Sequence, residues 1–318
     1  MSTMINRSVA SFSSEKYVTQ DPEFSVLIPV RNRADYIRQA IESVLAQTFC
    51  NYELLVADDG STDSTPDVLR SYMKHINTMR LDGIGPEGAR NALAAKARGR
   101  YLVFLDSDDA LLPHALEVYH KVLIMCGWPP HLVAKMRLCA RELVFPKCSG
   151  PIEFARSRDY VAKDMHVNIS YSCSVIDRRE FLRVGGVRAG TFPIDDYDLM
   201  LRLCGCGPCV VVKSPPTVAY RYHSGNSHSD ASALVNRVFQ ILTDEVRGRY
   251  PGGLRRKFRR AALIAAPVRL GMKLSWRKSL KAQAACLALL GSPMLVASAL
   301  TLLRRRLSPP RVECMPWP

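Results

Sequence analysis

Between Phe24 and Asp106 the chain alternates compact apolar runs with amphipathic stretches. Phe24 to Val30 (FSVLIPV) is a β-rich apolar run that stops at Arg31-Asn32-Arg33. A continuous run of this length predicts a strand buried on both faces of a parallel sheet. Tyr36, Ile37, Ala40, Ile41, Val44 and Leu45 then recur at helical spacing and predict an amphipathic helix. Tyr52 to Asp58 reads as a second strand, broken at Asp59-Gly60-Ser61-Thr62-Asp63. Ser64 or Thr65 followed by Pro66 suits a helix start with proline in its first turn. A short extended piece near Thr78 to Leu81, a helix from about Glu87 to Ala97 and a strand from Tyr101 to Asp106 follow. Such alternation predicts an α/β chain with a mostly parallel, doubly wound sheet and helices on both faces.

Ligands of such sheets gather at the carboxyl ends of the strands. The polar clusters Arg31-Asn32, Asp58-Asp59-Gly60-Ser61 and Asp106-Ser107-Asp108-Asp109 all fall there. No G-x-G-x-x-G follows the first strand and no G-x-x-x-x-G-K-[ST] occurs, which removes support for dinucleotide-dehydrogenase and P-loop readings. Carboxylates at the end of a buried strand are costly as unpaired anions. Their hard oxygens suit Mg²⁺ or Mn²⁺, which take one or two protein carboxylates together with substrate phosphates. Asp109 is equally consistent with a helix N-cap before Ala110-Leu111-Leu112-Pro113. Farther on, Ile194-Asp195-Asp196-Tyr197-Asp198-Leu199-Met200-Leu201-Arg202 reads as the opening of a helix, where carboxylates also favour the positive end of the dipole. One of them aimed at a hydroxyl would be a general base, and Arg202 could pair with Asp198 across one turn.

Composition divides the chain. Its 318 residues carry a net charge of +15. From residue 244 onward, 16 basic residues meet three acidic ones, which leaves the rest of the chain nearly balanced. Residues 1–22 are polar and serine-rich, without the apolar core of a signal peptide. Three parts are expected: a flexible segment over 1–22, the main α/β domain over 23–240, and a basic, apolar helical region over 241–318. In that region Leu254 to Leu274 mixes Arg and Lys with Leu, Ile, Val and Phe, and Ala282 to Leu303 is free of charge between Lys281 and Arg304. The length of the second run could cross a bilayer, but Gly291-Ser292-Pro293 interrupts it. An anionic membrane surface is the expected partner, each basic residue contributing about 1 kcal/mol. Nucleic acid is not expected, because the charges adjoin a long uncharged run and few aromatic side chains interleave with them. Of the ten cysteines only Cys204, Cys206 and Cys209 cluster, and the second paired spacing of a zinc site is missing.

FSVLIPVRNRADYIRQAIESVLAQTF, YELLVADDGSTDST, GARNALAAKARGRYLVFLDSDDALLP and IDDYDLMLRL occur in this order. Together they resemble the family 2 glycosyltransferases over roughly residues 23–230. The resemblance implies a GT-A fold and an inverting, metal-dependent enzyme that uses a nucleotide sugar, most often a UDP-sugar. By position it implies that Pro29 and Arg31 lie beside the nucleotide base and that Asp59 accepts from it, with Asp58 supporting the turn. Arg90 would help hold the nucleotide, Asp106 would face its ribose side with Ser107 among the nucleotide-sugar-binding residues, and Asp108 would bind Mg²⁺ or Mn²⁺. Asp196 matches the catalytic base, with Asp195 standing where a Glu is common. Arg31 stands where many members carry an aromatic residue, and guanidinium stacking would substitute for it.

His223, in Tyr220-Arg221-Tyr222-His223, resembles a family segment that closes over the diphosphate or metal. Gly185-Gly186 resembles the turn before the acceptor loop, or is an ordinary tight turn. The implied enzyme is a hexosyl- or N-acetylhexosaminyl-transferase adding single sugars to a carbohydrate or lipid-linked acceptor. It would act in surface polysaccharide or glycolipid synthesis on the cytoplasmic side of the cell membrane, held peripherally or by a re-entrant or single-span anchor. The competing expectation is an inactive nucleotide-sugar-binding scaffold.

Overall fold

The computed structural model describes residues 21–139, 150–157, 170–203, 205–223, 237, 240–241, 243–245, 247–251 and 312–316. The 1–22 segment and the 241–318 region, including the apolar run 282–303, therefore lie almost wholly outside the described residues. The first half follows the apolar pattern closely: β1 (Phe24–Val30), α1 (Ala34–Leu45), β2 (Tyr52–Asp59), α2 (Thr65–Ser71), β3 (Asn77–Leu81), α3 (Gly85–Lys96) and β4 (Tyr101–Phe104). Only β4 departs noticeably, ending two residues before Asp106. The chain bends there because Asp109 donates its N–H back to the Asp106 carbonyl.

Next come β5 (Ala110–Leu111), α4 (Ala115–Met125), β6 (His131–Val133), β7 (Met136–Cys139) and β8 (Ile152–Ser157). A 3₁₀ turn (Tyr171–Cys173), β9 (Ser174–Asp177), α5 (Arg178–Arg183), α6 (Asp195–Leu203), β10 (Cys209–Ser214), β11 (Val218–Arg221) and β12 (Glu313–Met315) complete the order. Asp109 thus precedes a strand, and α4 starts only at Ala115, so the helix-cap alternative for Asp109 does not apply.

The main sheet has nine strands in the order β12-β8-β10-β6-β9-β4-β1-β2-β3. β1 to β4 pair in parallel. β9 lies antiparallel between β4 and β6, and β8 runs against both of its neighbours. The remaining strands share one direction, which gives the mostly parallel sheet that the alternation predicts. Both faces are covered. Leu27, Leu55 and Phe104 pack under α3, Phe181 and α6 on one side, while Val26, Ile28, Val56 and Val103 pack against α1 and α4 on the other. This two-sided burial explains why β1 contains no polar alternation.

A smaller sheet, β5-β11-β7, carries the chain away from the Asp106–Asp109 corner and back to it. Ile241 and Tyr250 are buried in the same core as α6. Their packing sets two residues of the 241–318 region against that core. Among the described residues no helix is long and apolar enough to cross a membrane.

Candidate functional site

Three loops leave the carboxyl ends of β1, β2 and β4, and side-chain to backbone bonds lace the first two together. Asn32, at φ 51°, donates its N–H to Ser61 Oγ (2.9 Å) and accepts from the Thr62 N–H (2.8 Å). Asp63 accepts from the Ala34 and Thr65 N–H groups at 3.2 and 2.9 Å. Gly60 turns the chain at φ 73°, and a Cβ there would meet the Gly83 nitrogen at 3.2 Å. The acidic and hydroxyl residues of the D-G-S-T-D stretch therefore act as loop scaffolding before any ligand is considered.

Pro29 is half-buried near the end of β1, Val30 after it is buried, and Arg31 is exposed on the loop beyond. The Arg31 guanidinium lies over Gly83, where an added Cβ would be 3.3 Å from Nη1. Asp58 is buried, accepts from the Ser61 N–H at 2.9 Å and pairs with Arg80. Arg80 also donates to the Ser61 carbonyl at 2.8 Å, so it clamps the turn from the neighbouring strand. Asp59 is buried too. Its two oxygens accept from the Ile84 and Gly85 N–H groups at 2.7 and 2.9 Å, at the N-terminus of α3. In this structure its carboxylate serves α3, a use that the sequence reading did not include.

α3 carries Arg90 into the centre of the site. Its Nη1 donates to Asp195 Oδ2 at 3.0 Å and its Nη2 to Asp106 Oδ1 at 2.8 Å. The guanidinium carbon sits 3.9 Å from the Tyr171 ring centroid. Burial alone would weaken the cation, but the Asp195 and Asp106 carboxylates outweigh it and hold the guanidinium more firmly protonated than usual. Residues 106 and 195, far apart in sequence, thus meet through one side chain.

The Asp106–Asp109 corner divides its carboxylates among different partners. Asp108 Oδ2 lies 3.0 Å from His223 Nε2, and its carbonyl accepts from Arg221 Nε at 2.9 Å. His223 stacks on Tyr36 of α1, with ring centroids 5.1 Å apart and planes 14° apart. Asp109 is buried, accepting from Ser172 Oγ at 2.6 Å and from the Arg221 N–H at 3.0 Å. Burial first, then the neighbouring Asp106 and Asp108 carboxylates, push the Asp109 carboxyl well above its ordinary range. Ser107 is buried between these acids.

At the start of α6, Asp195 and Asp196 are both buried. Burial raises Asp195, with Arg90 opposing. Burial and then the adjacent Asp195 charge push the Asp196 carboxyl well above the usual carboxylate range. Asp196 Oδ1 accepts from the Tyr197 N–H at 2.8 Å. Glu87 fixes the approach to this helix, accepting from the Phe192 N–H at 3.0 Å. Behind it, Asn91 donates to the Val187 carbonyl and accepts from the Val187 N–H, at 2.7 and 2.8 Å. Gly186 sits at φ 65°, and a Cβ would come 2.4 Å from Asn91 Oδ1, so glycine is needed for this clamp.

The structure therefore joins Asp106, Arg90, Asp195 and Asp196 into one group and Asp108 with His223 into another, around the same β4 corner. Pro29, Arg31, Asp58 and Asp59 line the adjoining loops. Tyr36, Arg80, Glu87, Tyr171 and Ser172 were not anticipated. Arg80 is set beside Asp58 by the register of β2 and β3. Tyr171 and Ser172 lie in a stretch without a motif. Among the described residues no group of three or more His, Cys, Asp and Glu side chains forms a cation cage. A carboxylate oxygen beside an imidazole nitrogen nevertheless fits a site completed by substrate phosphates. Cys206 and Cys209 turn to different partners, Arg183 at 2.8 Å and His131 at 4.0 Å, and neither is in a disulfide. Cys204 lies outside the described residues.

The family described as Glycosyl transferase family 2 matches residues 25–122. An uncharacterized glycosyltransferase of Rickettsia felis is 41% identical over 110 residues, which cover 34% of this chain and 18% of that protein. The minor teichoic acid biosynthesis protein GgaA of Bacillus subtilis is 41% identical over 103 residues, covering 30% of this chain and 23% of GgaA. The matches thus span less than a quarter of either relative. Among solved structures, residues 1–349 of S. aureus TarS in complex with UDP-GlcNAc superpose with a TM-score of 0.63 at 17% identity, covering 87% of this chain and 81% of that one. This likeness extends the fold comparison past the matched segment. The fold is thus that of the GT-A-type glycosyltransferases, and residues 25–122 are similar to glycosyl transferase family 2.

Proposed function

We propose that this chain is an inverting glycosyltransferase that moves a hexosyl or N-acetylhexosaminyl group from a UDP-sugar to a hydroxyl acceptor. The observation that carries the reading is the single guanidinium spanning Asp106 and Asp195, because it draws the donor-side corner of β4 and the first turn of α6 to one place. Asp108 and His223 would hold Mg²⁺ or Mn²⁺, which when bound stabilises the charge developing on the leaving diphosphate. Asp195 is taken up by Arg90, which favours Asp196 as the base. A carboxyl whose affinity for protons is raised by burial is well suited to accept one near neutral pH. The acceptor oxygen forms its bond to the anomeric carbon as the carbon–phosphate-oxygen bond breaks on the opposite face, and Asp196 takes the acceptor proton. This single displacement inverts the centre and needs no covalent nucleophile.

The name of the GgaA relative supports a cell-surface polymer or a lipid-linked precursor as acceptor. The basic, apolar stretch before β12 supports contact with the cytoplasmic face of an anionic membrane. The pairing of β12 with β8 favours a peripheral or re-entrant contact, because one crossing would carry β12 to the far side of the bilayer. A nucleotide-sugar panel assayed for hydrolysis and transfer, with Mn²⁺ or with chelator, tests the reading. Metal-dependent turnover lost in Asp108→Ala is the expected result; turnover indifferent to chelator removes the metal role, and no turnover of any donor defeats the proposal.

A further inference from the structure

From the geometry around Arg90 we infer that it is a positioning residue, a rigid strut that sets the base helix α6 at a fixed distance from the donor corner of β4, rather than a contact for the nucleotide. The inference rests on the glycosyltransferase reading above and assigns Arg90 a different role from the one the family resemblance implies.

Three features support it. Both terminal nitrogens are already committed, one to each carboxylate, at 2.8 and 3.0 Å. The face of the guanidinium is covered by Tyr171 at 3.9 Å. The side chain is 8% exposed, and its buried Nε has no hydrogen-bond partner among the described residues. A diphosphate contact needs a donor edge open to the ligand, whereas this guanidinium is buried against Tyr171 with each terminal nitrogen already holding a carboxylate. A planar fork can span two carboxylates at once; an ammonium on a flexible stem holds the charge but not the span. Asp106 leads to Asp108 within two residues, and Asp195 adjoins Asp196. A shift of either partner would therefore alter the separation between leaving group and base. Misplacement by about 1 Å is enough to cost roughly 10²-fold in rate.

The test compares full-length wild type with Arg90→Lys, using the panel donor that wild type turns over fastest and, for binding, UDP with Mn²⁺. The strut predicts that Arg90→Lys loses about 10²-fold in kcat. Its UDP affinity should stay within about threefold, and the acidic limb of its pH profile should stay in place, because the charge is kept. Because an altered buried pair can impair folding, Arg90→Met combined with Asp195→Asn serves as the second variant. It removes the Arg90–Asp195 pair and leaves only the partly exposed Asp106 without its partner, so a cooperative melt shows that it folds, and it should keep the low kcat. Wild-type kcat in either variant overturns the strut. So does a loss confined to UDP affinity, which would make Arg90 a nucleotide contact after all. Wild type turning over no donor overturns the glycosyltransferase reading itself, so the two failures are told apart by the wild-type assay.

Discussion

Asp196 and Asp198 stand two residues apart on α6, both buried, in opposite electrostatic surroundings. Asp198 accepts from Arg202 Nε at 2.8 Å and from the Tyr250 hydroxyl at 2.9 Å, and it faces Arg188 at 3.3 Å. Arg188 and Arg249 in turn bind Asp244, so this network ties α6 to Asp244, Arg249 and Tyr250. Asp196 has one backbone N–H and a like-charged neighbour. One turn of helix thus holds a carboxylate whose charge is compensated, which serves packing, and another whose charge is disfavoured, which serves proton transfer. Residue type does not separate them. The number of donors aimed at each does.

The sharpest way to break this contrast is to neutralise each in turn. Asp196→Asn should lower kcat about 10²–10⁴-fold, the usual range for a general base. Its melting temperature should not fall, because the amide relieves repulsion with Asp195. Donor turnover beside a thermal melt checks this, and a destabilised but active variant would reverse the assignment. Asp198→Ala should do the opposite. It strands Arg202 in a buried site, and breaking such a pair typically costs about 3–5 kcal/mol. Urea unfolding reads that loss, while kcat per folded molecule should stay within a few-fold.

The next expected effect is on pH dependence. Asp196 must be ionised to act, and its carboxyl is held well above the usual range, so activity should rise with pH through a limb displaced upward from that of an ordinary aspartate. Asp195 and Asp106 raise Asp196, Arg90 lowers it, and the rings of Tyr171 and Tyr220 face the same cluster. Asp195→Asn should therefore move the limb to lower pH, and Arg90→Met should move it higher. For stability the sign is the reverse of the usual acid case. A carboxyl raised in the folded state contributes fully at low pH, and its contribution declines as pH rises through the raised value. A pH–rate profile with an unmoved limb in Asp195→Asn would show that the titrating group is not Asp196.

The difference between these two carboxylates was only partly legible in the sequence. The Asp198–Arg202 pair follows from helical spacing, and the β1 to β4 alternation follows from apolar runs whose neighbours in sequence are also neighbours in the sheet. The surroundings of Asp196 do not follow in this way. Arg90 is 105 residues away from Asp195, and Tyr171 and Ser172 come from a 3₁₀ turn that precedes an antiparallel insertion between β4 and β6. No local period marks such an insertion, because strand β9 is short and its partners are set by tertiary packing. Asp109 shows the same limit. Its position suggested a cap or a ligand, and only the return of β11 shows that it holds the Arg221 backbone.

Asp59 gives the smallest and most discriminating test, because it too has two candidate roles. The family resemblance makes it an acceptor for the nucleobase, yet both its oxygens already cap the N-terminus of α3, the helix that delivers Arg90. Replacing a capping carboxylate typically costs about 0.5–2 kcal/mol. Asparagine puts an NH2 donor where the second carboxylate oxygen accepts, so Asp59→Asn should lose one of the two bonds and fall within that range in urea unfolding. If α3 placement is the main role, UDP affinity in the presence of Mn²⁺ should weaken only several-fold, and kcat should fall with it as Arg90 shifts. A hydrogen bond from a base N–H to a carboxylate is worth about 1.5–3 kcal/mol. If base recognition dominates, UDP binding should therefore drop by tenfold or more with stability and kcat nearly unchanged. The ratio of those two losses decides whether Asp59 belongs with Asp198, as part of the frame, or with Asp196, as part of the chemistry.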